Sequence, residues 1–321
     1  VELSPECRKL VAKIESTVEL NSRNLMLNLI KLGTKLGLIQ NGRIAPERAP
    51  VQNRRFLERY LKVLLDIGVM VRKGEEYELQ QLVLSFSTAD FENTIPEYIT
   101  MYDYIASMAH YKAINENHPN VLMCFGKDAD VWDFFLSNPF CRAYREVCRE
   151  LAGIDRNSRV LDAGCGSVSP VFFAEMVAPN GIYRGVEKYS SLASLATKRL
   201  KRGGYDWAGV SVAAIEDVFV SSKYDCVLCT DVLSYLSHPA IALRNMLKAL
   251  RKGGRLVIFS LFPDRMDFVY RAYEFYNSMN PAFSRFMKTA EVASMIERLD
   301  RKADVEAVGG CFLVVEKRGG G

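Results

Sequence analysis

The chain has 321 residues, is 49% hydrophobic and 25% charged, and carries a formal net charge of +4. That length allows two domains and a sizeable core, and so small a net charge does not point to nucleic acid or to an anionic membrane surface. No apolar run reaches the roughly 18–20 residues of a membrane span, and no cationic start leads into an apolar stretch, so neither a spanning helix nor a secretory signal is expected.

Residues 8–37 carry apolar side chains at helical spacing (Leu10, Val11, Ile14, then Leu25, Leu29, Ile30, Leu36), with Gly37 as a stop signal. A polar loop follows from Gln40 to Ala49, then an amphipathic helix from about Gln52 to Asp66, closed by Gly68. Val69–Arg72 and Tyr77–Leu79 flank the turn Lys73-Gly74-Glu75-Glu76, a hairpin pattern. Helices followed by such a hairpin spell a winged-helix-like module over about residues 10–85. Residues 92–150 read as further helices rich in aromatics, among them Phe125, Trp132 and Phe135.

From Ser158 the pattern becomes alternating α/β. Strands are expected at 159–162, 182–187, 209–214, 224–229, 255–261, 304–308 and 311–316, with helices between them, notably Ser191–Arg202 and Ala240–Leu250. The last two strands, with Gly309-Gly310 between them, predict an antiparallel hairpin. Gly319-Gly320-Gly321 reads as a tail. The eight cysteines form no dense framework, which predicts free thiols in a reducing, cytoplasmic compartment. Cys226 and Cys229 fall within a predicted strand, where positions three apart face opposite sides, so they read as buried small residues and no metal site is expected.

The chemistry concentrates at Arg159-Val160-Leu161-Asp162-Ala163-Gly164-Cys165-Gly166. A strand ends at an acid, two glycines let backbone approach a ligand, and a helix-like run begins near Pro170. The next strand ends at Glu187, suited to accept from both hydroxyls of a ribose, at about the 20-residue spacing of a nucleotide-binding βαβ unit. Ser169 stands where a dinucleotide site has its third glycine, and an acid before the turn sits badly beside a pyrophosphate. Asp162 would instead suit a cationic ligand end, such as the amino group of an amino acid.

Val160–Gly166 resembles the first motif of class I S-adenosylmethionine-dependent methyltransferases, and Tyr183-Arg184-Gly185-Val186-Glu187 resembles their second. Tyr224–Leu228 and Leu243–Val257, including Lys252-Gly253-Gly254, resemble later motifs, so that the likeness spans about residues 155–317. It implies a Rossmann-like doubly wound sheet and S-adenosyl-L-methionine as cofactor. The binding residues it implies are Asp162, Ala163, Gly164, Cys165, Gly166, Glu187, Lys188, Ile215, Glu216 and Thr230. Ala213-Ala214 replaces the Gly-Asp that many members carry beside the adenine.

The N-terminal half resembles that of the small-molecule O-methyltransferases. This implies a winged-helix-like dimerisation domain at 1–90, a helical connecting and substrate-wall segment at 91–150, the cofactor domain at 151–317 and a tail at 318–321. It also implies a homodimer and a largely apolar or aromatic acceptor methylated at a hydroxyl. His238, at the start of the helix after the fourth strand, occupies the position of that family's base, although the family's usual text before it is replaced by Leu233-Ser234-Tyr235-Leu236-Ser237. Phe125, Trp132, Phe135, Tyr235, Tyr273 and Tyr276 are the expected acceptor-pocket residues. The aromatic segment 262–287, which includes Phe268, reads either as a lid over the acceptor or as core packing. The alternatives are an N- or C-methyltransferase, a nicotinamide-dependent oxidoreductase, and a DNA-binding regulator using Arg54, Arg55, Arg59 and Lys62.

Overall fold

The computed structural model describes residues 2–44, 46, 51–74, 76–81, 83–265 and 270–318. Glu75 of the expected turn, part of the Gln40–Ala49 loop, Phe268 and the Gly319–Gly321 tail lie outside the described residues. Contacts divide the chain into two compact units, one comprising Val1–Glu15, Cys124–Arg265 and Ser284–Gly321, the other Ser16–Met123 and Met266–Phe283.

The N-terminal elements are helix α1 (Pro5–Lys35), the short strands β1 (Ile39–Gln40) and β2 (Arg43–Ile44), α2 (Arg54–Asp66), β3 (Met70–Lys73), β4 (Glu76–Leu79), α3 (Thr88–Glu92) and α4 (Pro96–Ile114). Asn53 caps α2 by accepting from the Phe56 N–H at 3.1 Å, and the buried stripe Phe56, Leu57, Tyr60, Val63, Leu64 follows the helical repeat. The expected hairpin forms as β3 and β4, and a four-stranded antiparallel sheet runs β1-β2-β4-β3.

Next come α5 (Ala129–Leu136), α6 (Pro139–Ala152), β5 (Arg159–Ala163), α7 (Ser169–Val177), β6 (Ile182–Glu187), α8 (Ser190–Arg202), β7 (Gly209–Val212), β8 (Tyr224–Thr230), α9 (Pro239–Ala249) and β9 (Leu250–Phe259). The chain ends with α10 (Tyr270–Asn277), α11 (Thr289–Leu299), β10 (Ala303–Val308) and β11 (Phe312–Lys317). Seven strands form one sheet in the order β10-β11-β9-β8-β5-β6-β7. Pairing is parallel from β9 through β7, and β11 runs antiparallel to both β9 and β10, which is the terminal hairpin expected from Gly309-Gly310. This is the Rossmann-like α/β sheet expected from the sequence. Among the shifted boundaries, two bear on the site and the sheet. β7 stops at Val212, freeing Ala213-Ala214 for the loop beyond it, and β9 begins at Leu250, which pairs with Tyr224 ahead of a register irregularity.

Helices pack on both faces of the parallel sheet, so its central strand β8 is a near-continuous buried run. On one face Leu161, Val227, Leu256 and Ile258 meet Leu243 and Met246 of α9 and Val292 and Ile296 of α11, nearly all fully buried. Each such side chain contributes about 1.5–3 kcal/mol by burial. On the other face Tyr144 of α6 stacks on Phe259 of β9 at 4.3 Å.

In the second unit, α10 resolves the two readings of the aromatic segment. Its Phe275 ring lies 5.4 Å from that of Phe56 and 5.9 Å from that of Tyr60, and Tyr273 meets Tyr102 edge-on at 5.0 Å. Tyr273 donates to the Val18 carbonyl at 3.0 Å and accepts from Asn21 at 2.9 Å. These rings are core of that unit, which overturns the lid reading for α10. A stretch with aromatics on every face buries them wherever apolar partners exist.

Candidate active site

Strands β5, β6, β7 and β8 are parallel, so their C-terminal ends share one edge of the sheet. Chain order reverses at β5, which lies between β6 and β8; such a reversal opens a crevice where ligands bind in doubly wound sheets. A cavity of about 820 Å³, its open mouth included, lies here. It is lined by the strand ends and by Phe125, Trp132, Leu136, Tyr189, Leu192, Tyr235 and Leu236.

Backbone bonds hold the start of the glycine turn. Gly164 N–H donates to the Val186 carbonyl at 2.7 Å, and Gly164 and Gly166 adopt φ of 70° and 60°, where only glycine is free of strain. A Cβ on Gly164 would stand 2.4 Å from Val232 Cγ2, and one on Gly166 2.8 Å from Leu136 Cδ1. Glu187 then closes the turn: its Oε2 accepts from Gly166 N–H at 3.0 Å and its Oε1 from Tyr189 N–H at 2.8 Å. Burial raises the Glu187 carboxyl above its usual range despite these donors. At the far side Asn245, on α9, donates to the carbonyls of Ile215 and Glu216 at 3.1 and 2.7 Å and so fixes the loop after β7.

Of the expected cofactor residues, Gly164, Gly166, Glu187, Lys188, Ile215, Glu216 and Thr230 line the cavity; Asp162, Ala163 and Cys165 do not. Asp162 is fully buried, and its Oδ2 accepts from Tyr183 Oη at 2.9 Å while Oδ1 has no partner. Burial, outweighing the Tyr183 hydroxyl and the Arg145 charge, pushes its carboxyl up to about 7. The structure thus places the Asp162 side chain outside the cavity lining. Neighbouring residues of a strand point to opposite faces, and this side chain lies on the face opposite Leu161, against Tyr183 of β6. Ala163 packs in the core and Cys165 lies against Gly185.

Of the expected acceptor residues, Phe125, Trp132 and Tyr235 line the cavity, with Phe125 4.3 Å from Trp132 and 5.0 Å from Tyr235. Phe135 lies behind Trp132, edge-on at 5.6 Å. Tyr273 and Tyr276 are fully buried core of the other unit. His238 is exposed at the N-cap of α9 and is not part of the lining; its backbone N–H lies 3.3 Å from Glu216 Oε1.

Sequence reasoning missed Asp231. It follows β8, lines the cavity and holds φ at 56°, an uncommon left-handed conformation for a residue other than glycine. Its signal was available: an acid ends this strand as Glu187 ends β6. Leu136, Tyr189, Leu192 and Leu236 were also missed, because single apolar residues in helices and loops carry no signature.

Residues 154–295 match the family model of a methyltransferase domain, Methyltransf_31. With the sheet order and the glycine turn, this defines a class I S-adenosylmethionine-dependent methyltransferase domain; the protein is a methyltransferase enzyme and its cofactor is S-adenosyl-L-methionine.

Over 320 residues the chain is 27% identical to the uncharacterized protein MJ0906 of Methanocaldococcus jannaschii, covering 97% of this chain and 87% of that one. It is 27% identical over 179 residues to the ubiquinone/menaquinone biosynthesis C-methyltransferase UbiE of Proteus mirabilis, covering 54% of this chain and 66% of the relative. Among solved structures, the citrinin polyketide synthase CMeT domain is similar with a TM-score of 0.64 at 16% identity, over 92% of this chain and 88% of that one. The CurJ carbon methyltransferase has a TM-score of 0.60 at 15% identity, over 98% and 97%. At such identities the likeness is one of fold.

Proposed function

We propose that this enzyme transfers the methyl group of S-adenosylmethionine to a carbon of a small, largely apolar or aromatic acceptor. The observation that carries the small, apolar acceptor is the mixed lining of the cavity. A glycine turn and the carboxylates of Glu187, Glu216 and Asp231 share it with Phe125, Trp132, Tyr235 and Leu236. In this reading Glu187 accepts from the ribose hydroxyls, the loop Ala213–Glu216 flanks the adenine, and the Gly164–Gly166 turn admits the methionine part. The bound cofactor supplies an electrophilic methyl on a sulfonium. The protein's own share is to bind, align donor and acceptor in line, and exclude water behind the aromatic wall.

Two considerations favour carbon over the hydroxyl expected at first. The relatives named above include a C-methyltransferase, and one fold neighbour is named a carbon methyltransferase. The residue expected to deprotonate a hydroxyl, His238, is exposed and outside the lining. Hydroxyl transfer is the second reading, supported by the resemblance to the small-molecule O-methyltransferases. That resemblance also supports a winged-helix-like reading of the α1–β4 region and a homodimer, which light scattering would reveal as a single species of twice the chain mass.

Calorimetry with S-adenosylmethionine, S-adenosylhomocysteine and NAD tests the cofactor site. Tight NAD binding without S-adenosylhomocysteine binding would reverse the proposal. Transfer from the methyl-13C cofactor to a panel of phenols and enolisable ketones then separates C-methyl from O-methyl products by their carbon shifts.

A further inference from the structure

The lining residues follow the order of the strands. Ala213–Glu216 stand at the end of β7, Glu187 at β6, Gly164 at β5 and Thr230–Val232 at β8, and the sheet order is β7-β6-β5-β8. Strands lie about 4.8 Å apart, so these groups form a line across the crevice. S-adenosylmethionine is itself linear: adenine, ribose, then the sulfonium-bearing amino acid. With its ribose on Glu187 and its adenine toward β7, its cationic end points to β5 and β8. Val232 packs on Gly164 there, and Asp231 is the adjoining residue.

Asp231 is the one carboxylate of the lining at that end. Neither the hydrogen bonds nor the ion pairs of the described residues engage its side chain, while its backbone is pinned, the N–H donating to the Phe259 carbonyl at 2.8 Å. It is open to solvent through the cavity yet ringed by protein. A carboxylate with no side-chain partner at this edge of the cavity can attract a bound cation.

Resting on the cofactor placement proposed above, we infer that Asp231 is the counter-charge for the sulfonium end of S-adenosylmethionine. It makes the site prefer the charged cofactor over the product S-adenosylhomocysteine, whose sulfur is neutral. The protein around it raises the Asp231 carboxyl above its ordinary value, so this preference grows as the pH rises and the carboxyl ionises. The titratable groups facing it are Cys141 and Tyr144 from α6, Cys229 from its own strand and Cys311 from the β10–β11 turn, all kept neutral by burial. Glu187, Lys188 and Glu216 line the same cavity.

The test is calorimetry of the full chain with S-adenosylmethionine and S-adenosylhomocysteine at pH 5.5 and 8.5. Wild type is expected to raise its affinity ratio for the two ligands roughly tenfold between these pH values. Asp231→Asn and Asp231→Gly, both at home at this φ, should hold the ratio flat. The ligands' own amino groups titrate alike for every variant, so the difference between proteins isolates Asp231. A ratio in both variants that tracks wild type overturns the inference and leaves the cofactor site standing. Failure of wild type to bind either ligand overturns both.

Discussion

The backbone N–H of Gly166 donates to Glu187 Oε2 at 3.0 Å, latching the turn after β5 to the end of β6. The residue proposed to hold the ribose thus also holds the turn proposed to receive the methionine part. Substituting either one disturbs the other.

Glu187→Gln replaces an acceptor oxygen with an amide that faces a backbone N–H, at either Gly166 or Tyr189. The expected outcome is at least a roughly tenfold loss of affinity for both S-adenosylmethionine and S-adenosylhomocysteine, with a stability loss of about 1–3 kcal/mol. Calorimetry and thermal melting measure the two separately. Unchanged affinity would remove Glu187 from the site.

The two glycines of the turn should not respond equally. Gly164→Ala sets a Cβ 2.4 Å from Val232 Cγ2 at φ 70°, and Val232 is β-branched and stiff. Gly166→Ala meets only the far end of Leu136 at 2.8 Å, and that leucine can turn aside. Both variants pay the left-handed strain, but Gly164→Ala should lose about 1–3 kcal/mol more and should also lose cofactor binding. Equal melting temperatures would contradict this account of the turn.

Asp162 makes stability depend on pH. Its folded pKa of about 7 lies above the ordinary 3.8, so the folded state holds the proton more tightly than the unfolded one. Its stabilising contribution is full below about pH 4 and is lost as pH rises through 7. Asp162→Asn keeps an acceptor for Tyr183 and removes the charge. The variant should gain at least about 1 kcal/mol relative to wild type on going from pH 5 to pH 8, read from denaturant curves. A wild-type–variant difference that is flat with pH would show that Asp162 is not the titrating group.

The chain has two tryptophans, Trp132 in the cavity lining and Trp207 away from it. S-adenosylhomocysteine should change the fluorescence of wild type and of Trp207→Phe but not that of Trp132→Phe. A response that follows Trp207 instead would place the ligand elsewhere.

Much of this was legible in the sequence. Strands β5 and β8 show as short, largely apolar runs because helices cover the sheet on both faces, and the glycine turn and Glu187 show because their chemistry admits few substitutes. The direction of a side chain was not legible where a strand ends. Asp162 and Asp231 are both strand-end acids, yet one is sealed beneath the turn against Tyr183 and the other opens on the cavity. Local sequence determines that a carboxylate stands at the edge of the sheet. Which face it takes is decided by the pleat, the pairing register and a left-handed turn that only the assembled strands impose. The same holds for Tyr273 and His238: composition marked one as an acceptor wall and position marked the other as a base. Packing against Tyr102 buried the first, and the start of α9 left the second in solvent.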